Sequence, residues 1–185
     1  LTALLTWLSW NTNAPRMGFV LTNHSDPLGY YQYLPGTFMQ ADWSAFPYVH
    51  YLPNGNGLSM FTMGVALLQA PFFLLAWLYC SLTGVVATGF ELPFVFARLL
   101  ATATYMAGGI TLVLRMLMRR HDPPVAWLAA GALLFATTLY YYATHEGGMS
   151  HAYSFFLITW AICLTYRMLE QPRWDRLLYL IVCTS

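Results

Sequence analysis

The chain has no lysine and little charge of either sign. Charged residues make up 8% of its 185 positions, against roughly 25% in soluble domains. So few charges cannot cover a surface that faces water all round, which excludes an ordinary soluble domain. All eight cationic side chains are arginine and they form no dense basic tract, which excludes a nucleic-acid partner. Only three cysteines occur, Cys80, Cys163 and Cys183, far apart and within apolar runs. They read as small buried side chains, not a disulfide framework. The chain also lacks an initiator methionine and stops inside the apolar run "LLYLIVCTS". It reads as a fragment: one transmembrane domain over 1–185, incomplete at both ends, with no signal-peptide cleavage site after its first apolar stretch.

Apolar and aromatic side chains are abundant, at 58% and 17%. A helix crossing a bilayer needs about 20 mostly apolar residues. Residues 1–10 read as the end of one span, and 59–82 as an uncharged stretch containing Pro71. Residues 92–114 are apolar apart from Arg98, and 125–144 are uncharged. Residues 149–166 form a further span with His151 near its start, and 177–185 begin another. The expected fold is all-α, a polytopic transmembrane helical bundle.

Arginine sets the orientation. Arg115, Arg119 and Arg120 lie between two spans, and Arg167, Arg173 and Arg176 between the next two. Both loops then face the cytoplasm, and the connector "HEGGMSH" faces outward. The side of the long polar loop 22–58 depends on 59–82. A full crossing puts that loop inside, whereas a stretch broken at Pro71 or lying shallow puts it outside. The loop has no arginine, which favours outside. Within it, "DPLGYYQYLPGTFMQAD" is expected to form a short interfacial helix with Asp26 as cap and Pro27 in the first turn. Its tyrosines and Trp43 suit headgroup level. "NGNG" at 54–57 marks a turn and is not a phosphate loop, since no lysine follows.

Few residues can carry chemistry in so apolar a chain. Asp26 is either a helix cap or a proton acceptor at the membrane surface, and the two roles are compatible. His24 stands close enough to share a proton or a metal with it. Asp42 would flank the other end of the interfacial helix, or sit solvated in the loop. His145, Glu146 and His151 surround the Gly147–Gly148 turn, and ionisable groups at a membrane edge are functional candidates. Arg98 lies inside an apolar span. It either snorkels to the interface or faces an acid, with Glu91 the nearest candidate, or an anionic ligand such as phosphate.

The order "DPLGYYQYLP", "FTMGVALLQAPFFLLAWL", "GFELPFVFARLL" and "YYYATHEGGMSHAYSFFL" resembles uncharacterised bacterial membrane glycosyltransferases of the GT-C class. These are related to the dolichyl-phosphate-mannose mannosyltransferase and aminoarabinose transferase group. The likeness covers about 22–176, with the first and last motifs its specific parts. It implies a multi-pass enzyme of the bacterial inner membrane that uses a polyprenyl-phosphate-linked sugar donor. The acceptor would be a glycan, lipid or protein on the external side, and the aromatic spans would shelter the lipid tail. An acid in the first external loop would be base or metal-assisting group, here Asp26 with His24. Arg98, His145, Glu146, His151, Tyr30, Tyr31 and Asp42 would contact substrate. Many relatives pair two acids in that loop; Pro27 follows Asp26 here, which leaves a divalent metal open. A flippase for a lipid-linked sugar, or a membrane scaffold without catalysis, are the competing classes. The scaffold predicts that these polar groups do not converge.

Overall fold

The computed structural model describes residues 1–13 and 26–170. They are mostly helical. The chain runs through α1 (Thr2–Asn13), α2 (Asp26–Tyr31), α3 (Tyr33–Phe38) and a 3-10 turn (Trp43–Ala45). A small hairpin follows, β1 (Val49–Tyr51) with β2 (Gly57–Ser59). Then come α4 (Gly64–Thr83), α5 (Leu92–Leu117), α6 (Pro123–Phe135), α7 (Leu139–Thr144) and α8 (Ser150–Glu170). Three helices, α4, α5 and α8, are long and apolar enough to cross a membrane. Helices cover the stretches expected at 92–114 and 149–166, each a little longer than the apolar pattern alone marks.

Helix α5 is the axis of the bundle, packed by α8, α4 and α1. One core joins α1, α5, α6, α7 and α8 through Leu5, Ala103, Met106, Ala107, Ile110, Ala126, Ala130 and Ala152. Small side chains dominate it because they let helix backbones approach closely where lipid offers no hydrophobic drive. A second core, with Tyr31, Leu34, Phe73, Cys80 and Phe94, seats the α2–α3 segment on the opposite side of α5's first turns. Arg115, Arg119 and Arg120 gather at the far end of α5. Arg119 lies 3.7 Å from Glu170, and Arg120 stacks 5.1 Å from the Tyr166 ring.

Four local expectations are corrected. Pro71 does not break α4, which is one continuous helix. A proline there leaves only the Leu67 carbonyl without its ladder donor, and the Tyr105 hydroxyl donates to the neighbouring Leu68 carbonyl at 3.0 Å, tying α4 to α5 beside the missing bond. The uncharged stretch 125–144 is not one helix. Thr137 bonds back to the Leu133 carbonyl at 2.6 Å and accepts from the Leu139 amide at 3.2 Å, which competes with the helical ladder. The interfacial helix is two short ones, because Pro35 cannot donate to the carbonyl of Tyr31. The fold is not purely helical, since the loop contains the hairpin, with Val49, His50 and Tyr51 paired to Ser59, Leu58 and Gly57. Its tip is the "NGNG" turn, where Gly55 takes φ 81°.

Topologically, α4 runs antiparallel to α5, with Leu68 against Tyr105 and Phe73 against Phe94. Its first turn thus lies opposite the middle of α5. The loop touches segments at both ends of α4: Tyr33 donates to the Phe61 carbonyl just before it, and Tyr31 donates to the Gly89 carbonyl just after it, each at 2.5 Å. Asp26 therefore shares an end of the bundle with the first turns of α5. The expected span at 177–185 lies outside the described residues.

Candidate functional site

The Gly147–Gly148 turn closes against α5 and α2. Gly148 takes φ 107°, which a side-chain-bearing residue rarely adopts. A Cβ there would sit 3.1 Å from Arg98 Cδ and 3.3 Å from Pro27 Cβ. The turn, Arg98 and the residue after Asp26 thus meet at one point. Asp26 itself is exposed as the first residue of α2. It lies beside the turn, not across the bundle from it.

Arg98 is only 4% exposed and does not snorkel. Its charge lies 5.5 Å from the centre of the Tyr31 ring. Its Nε and Nη2 are buried without a hydrogen-bond partner among the described residues. These two N–H groups lie on the same edge of the guanidinium, spaced to grip two oxygens of one carboxylate or phosphate. The expected Glu91 partner is corrected: its carboxylate accepts from the Thr88 hydroxyl at 2.6 Å and from the amides of Thr88, Gly89 and Phe90. Burial alone would raise the Glu91 carboxyl, but these bonds outweigh it and hold it below the usual range. The Tyr31 phenol is pushed well up by burial, with Arg98 only partly offsetting, so it stays neutral and donates to Gly89.

Behind Arg98 runs a hydrogen-bond chain that no spacing pattern announces. Gln69 Nε2 donates to the Tyr153 hydroxyl at 3.0 Å, and that hydroxyl lies 3.0 Å from Thr102 Oγ1. Thr102 donates to the Arg98 carbonyl at 3.1 Å and accepts from the Gly148 amide at 3.0 Å. With its one proton committed, Thr102 must accept from Tyr153, so every donor in the chain has a fixed direction. Thr102 is thereby the clamp between the turn and α5.

The other expected residues fall into two groups. His145 stacks on Tyr141 at 5.0 Å and meets Thr144 Oγ1 through Nδ1 at 2.8 Å. Glu146 accepts from the Tyr141 hydroxyl at 3.3 Å, and exposed His151 stacks on Tyr142 at 3.8 Å. These three crowd the rim of the turn. Tyr30 packs edge-on against Phe61. Asp42 is exposed and caps the 3-10 turn by accepting from Ser44 N at 2.8 Å, a local role away from Arg98. His24 lies outside the described residues. Tyr48, absent from the sequence reading, has its phenol raised first by burial and then by the Asp26 charge. Among the described residues no three His, Cys, Asp or Glu side chains gather to hold a metal ion.

An apolar groove of about 480 Å³ runs between α1, α4 and α5, lined by Trp10, Phe72, Tyr79, Pro93, Phe96 and Leu100 among others. Phe96 and Leu100 each point about half a helical turn away from Arg98. The groove and the arginine fork thus open on opposite faces of α5. No protein-family model matches the chain, and no curated protein or solved structure matches it either.

Proposed function

We infer that the chain belongs to an integral-membrane glycosyltransferase of the GT-C type, working at the outer face of a bacterial inner membrane on a polyprenyl-phosphate-linked sugar. The observation that carries this is the buried Arg98 edge, whose two N–H groups have no partner among the described residues, beside the Gly147–Gly148 turn and Pro27. A buried charge without a partner is costly enough to require an anion in the working state. A lipid-linked phosphate supplies two oxygens for that edge at membrane level.

The reaction then needs little else. The acceptor hydroxyl oxygen bonds to C1 of the sugar as the C1–O bond to phosphate breaks. The hydroxyl proton passes to the Asp26 carboxylate, and the electron pair leaves with the phosphate, whose charge Arg98 stabilises. His145, Glu146 and His151 at the rim are placed to orient the acceptor. The lipid tail does not follow the groove at Trp10, which opens on the other face of α5.

The test uses the full-length protein in membranes given labelled polyprenyl-phosphate sugars with and without cell-envelope acceptors. Covalent transfer lost in Asp26→Asn is the expected result. A variant that inserts normally and transfers at the wild-type rate refutes the assignment of Asp26, and translocation without any covalent product makes the protein a flippase.

A further inference from the structure

We propose that the loop between α1 and α4 holds a separate binding site for the pyranose ring of a neutral saccharide. A cavity of about 540 Å³ opens between the hairpin and α3, walled by Tyr33, Trp43, Tyr51 and Ser59 with Val49, Gly57 and Leu58. Small-molecule sites typically measure about 300–1,000 Å³ and combine aromatic walls with a few placed polar groups. No charged side chain lines this one, so a phosphate, carboxylate or cation finds no counter-charge.

The walls are built in advance. Val49, Tyr51, Gly57 and Ser59 occupy alternate positions of the paired strands and so share one face of the ribbon. Tyr33 is locked by its 2.5 Å bond to the Phe61 carbonyl. Trp43 lies against Gly36, where any Cβ would come within 2.5 Å of the indole Cζ2. Only glycine lets the ring seat there.

Ser59 adds the polar group. Its Oγ meets the Gln32 side-chain amide at 2.8 Å and accepts from the Phe61 amide at 3.2 Å. These contacts fix the hydroxyl at the cavity wall, where it is a neutral hydrogen-bonding group for a ligand oxygen. Flat rings for the C–H face of a sugar, plus a fixed neutral hydroxyl for one of its oxygens, fit a neutral pyranose. A quaternary ammonium would also favour aromatic rings, but it offers no oxygen to Ser59.

On the transferase reading this site grips a sugar of the acceptor; binding is measured alone, so the two stand or fall separately. Full-length protein in nanodiscs is titrated with methyl mannoside, methyl glucoside and maltose by saturation-transfer NMR, with choline chloride as the control. Saturable transfer to sugar ring protons is expected, weakened at least about tenfold in Tyr51→Ala, Ser59→Ala and Trp43→Ala. Tyr51 is 54% exposed, so its truncation leaves the fold intact. Unchanged sugar binding in Asp26→Asn with transfer abolished separates this site from the chemical one. The proposal is overturned if no neutral sugar gives a saturable signal, if both Tyr51→Ala and Ser59→Ala bind as wild type, or if choline binds in place of the sugars.

Discussion

Arg98→Met should make the protein more stable and inactive at once. Among the described residues nothing accepts from the buried Nε and Nη2 of the guanidinium. Each such group costs about 1–3 kcal/mol, so the pair costs roughly 2–6 kcal/mol. The Tyr31 ring returns about 0.5–2 kcal/mol of that. Methionine keeps much of the volume and adds no polar atom, so the net gain lies within roughly 0–5 kcal/mol, centred on about 3 kcal/mol. For a chain of this size that is a rise in melting temperature on the order of 5 °C. The assay is thermal unfolding of purified full-length protein in phosphate-free detergent buffer, repeated with polyprenyl phosphate. The lipid should raise the wild-type melting temperature by mass action and leave the variant unmoved. Arg98→Lys should keep the charge but lose most of the lipid effect, since an ammonium has no planar fork. If Arg98→Met instead melts several degrees lower without ligand, the arginine is a structural partner, and the anion site is wrong.

Three further outcomes follow from the same geometry. Gly148→Ala forces a φ of 107° on a side-chain-bearing residue and crowds Arg98 and Pro27; a loss of about 1–3 kcal/mol is expected in thermal or denaturant unfolding, with activity falling alongside. Thr102→Val strands the Gly148 amide and the Tyr153 hydroxyl, for a loss of roughly 1–3 kcal/mol that Thr102→Ser restores; equal stability of the valine and serine variants would remove Thr102 as the clamp. Glu91 has its carboxyl held below the ordinary value, so its contribution is present above the unfolded pKa of about 4.3 and is lost as pH falls through the lower folded value. Glu91→Gln should therefore flatten the acid side of the melting-temperature profile, and an unchanged acid limb would show that the Thr88–Phe90 amides do not favour the carboxylate.

The long spans were legible because hydropathy over about 20 residues is a sum that single residues hardly disturb. The meeting of Pro27 with the Gly147–Gly148 turn was legible only in part: 22–58 has no arginine, but placing it outside also needed a broken or shallow 59–82, and α4 is one continuous helix. Details set by partners distant in sequence were not legible. Pro71 reads as a break, yet α4 stays continuous, tied to α5 beside the missing bond by Tyr105, 34 positions on, which donates to Leu68. Thr137 reads as one more tolerated polar residue in an apolar run until its hydroxyl binds Leu133. Glu91 is seven residues from Arg98, two helical turns, and so reads as its partner. Three amides and a hydroxyl much nearer in sequence take its oxygens first.

That last competition explains the site. An acid within reach would have neutralised Arg98 permanently and closed its edge. The 88–91 loop instead turns its amides onto Glu91, while Thr102 holds the Gly148 backbone against the arginine's aliphatic stem. The guanidinium is left buried, with Nε and Nη2 unpartnered among the described residues. An oxyanion is the chemistry that the proposed function supplies to that edge.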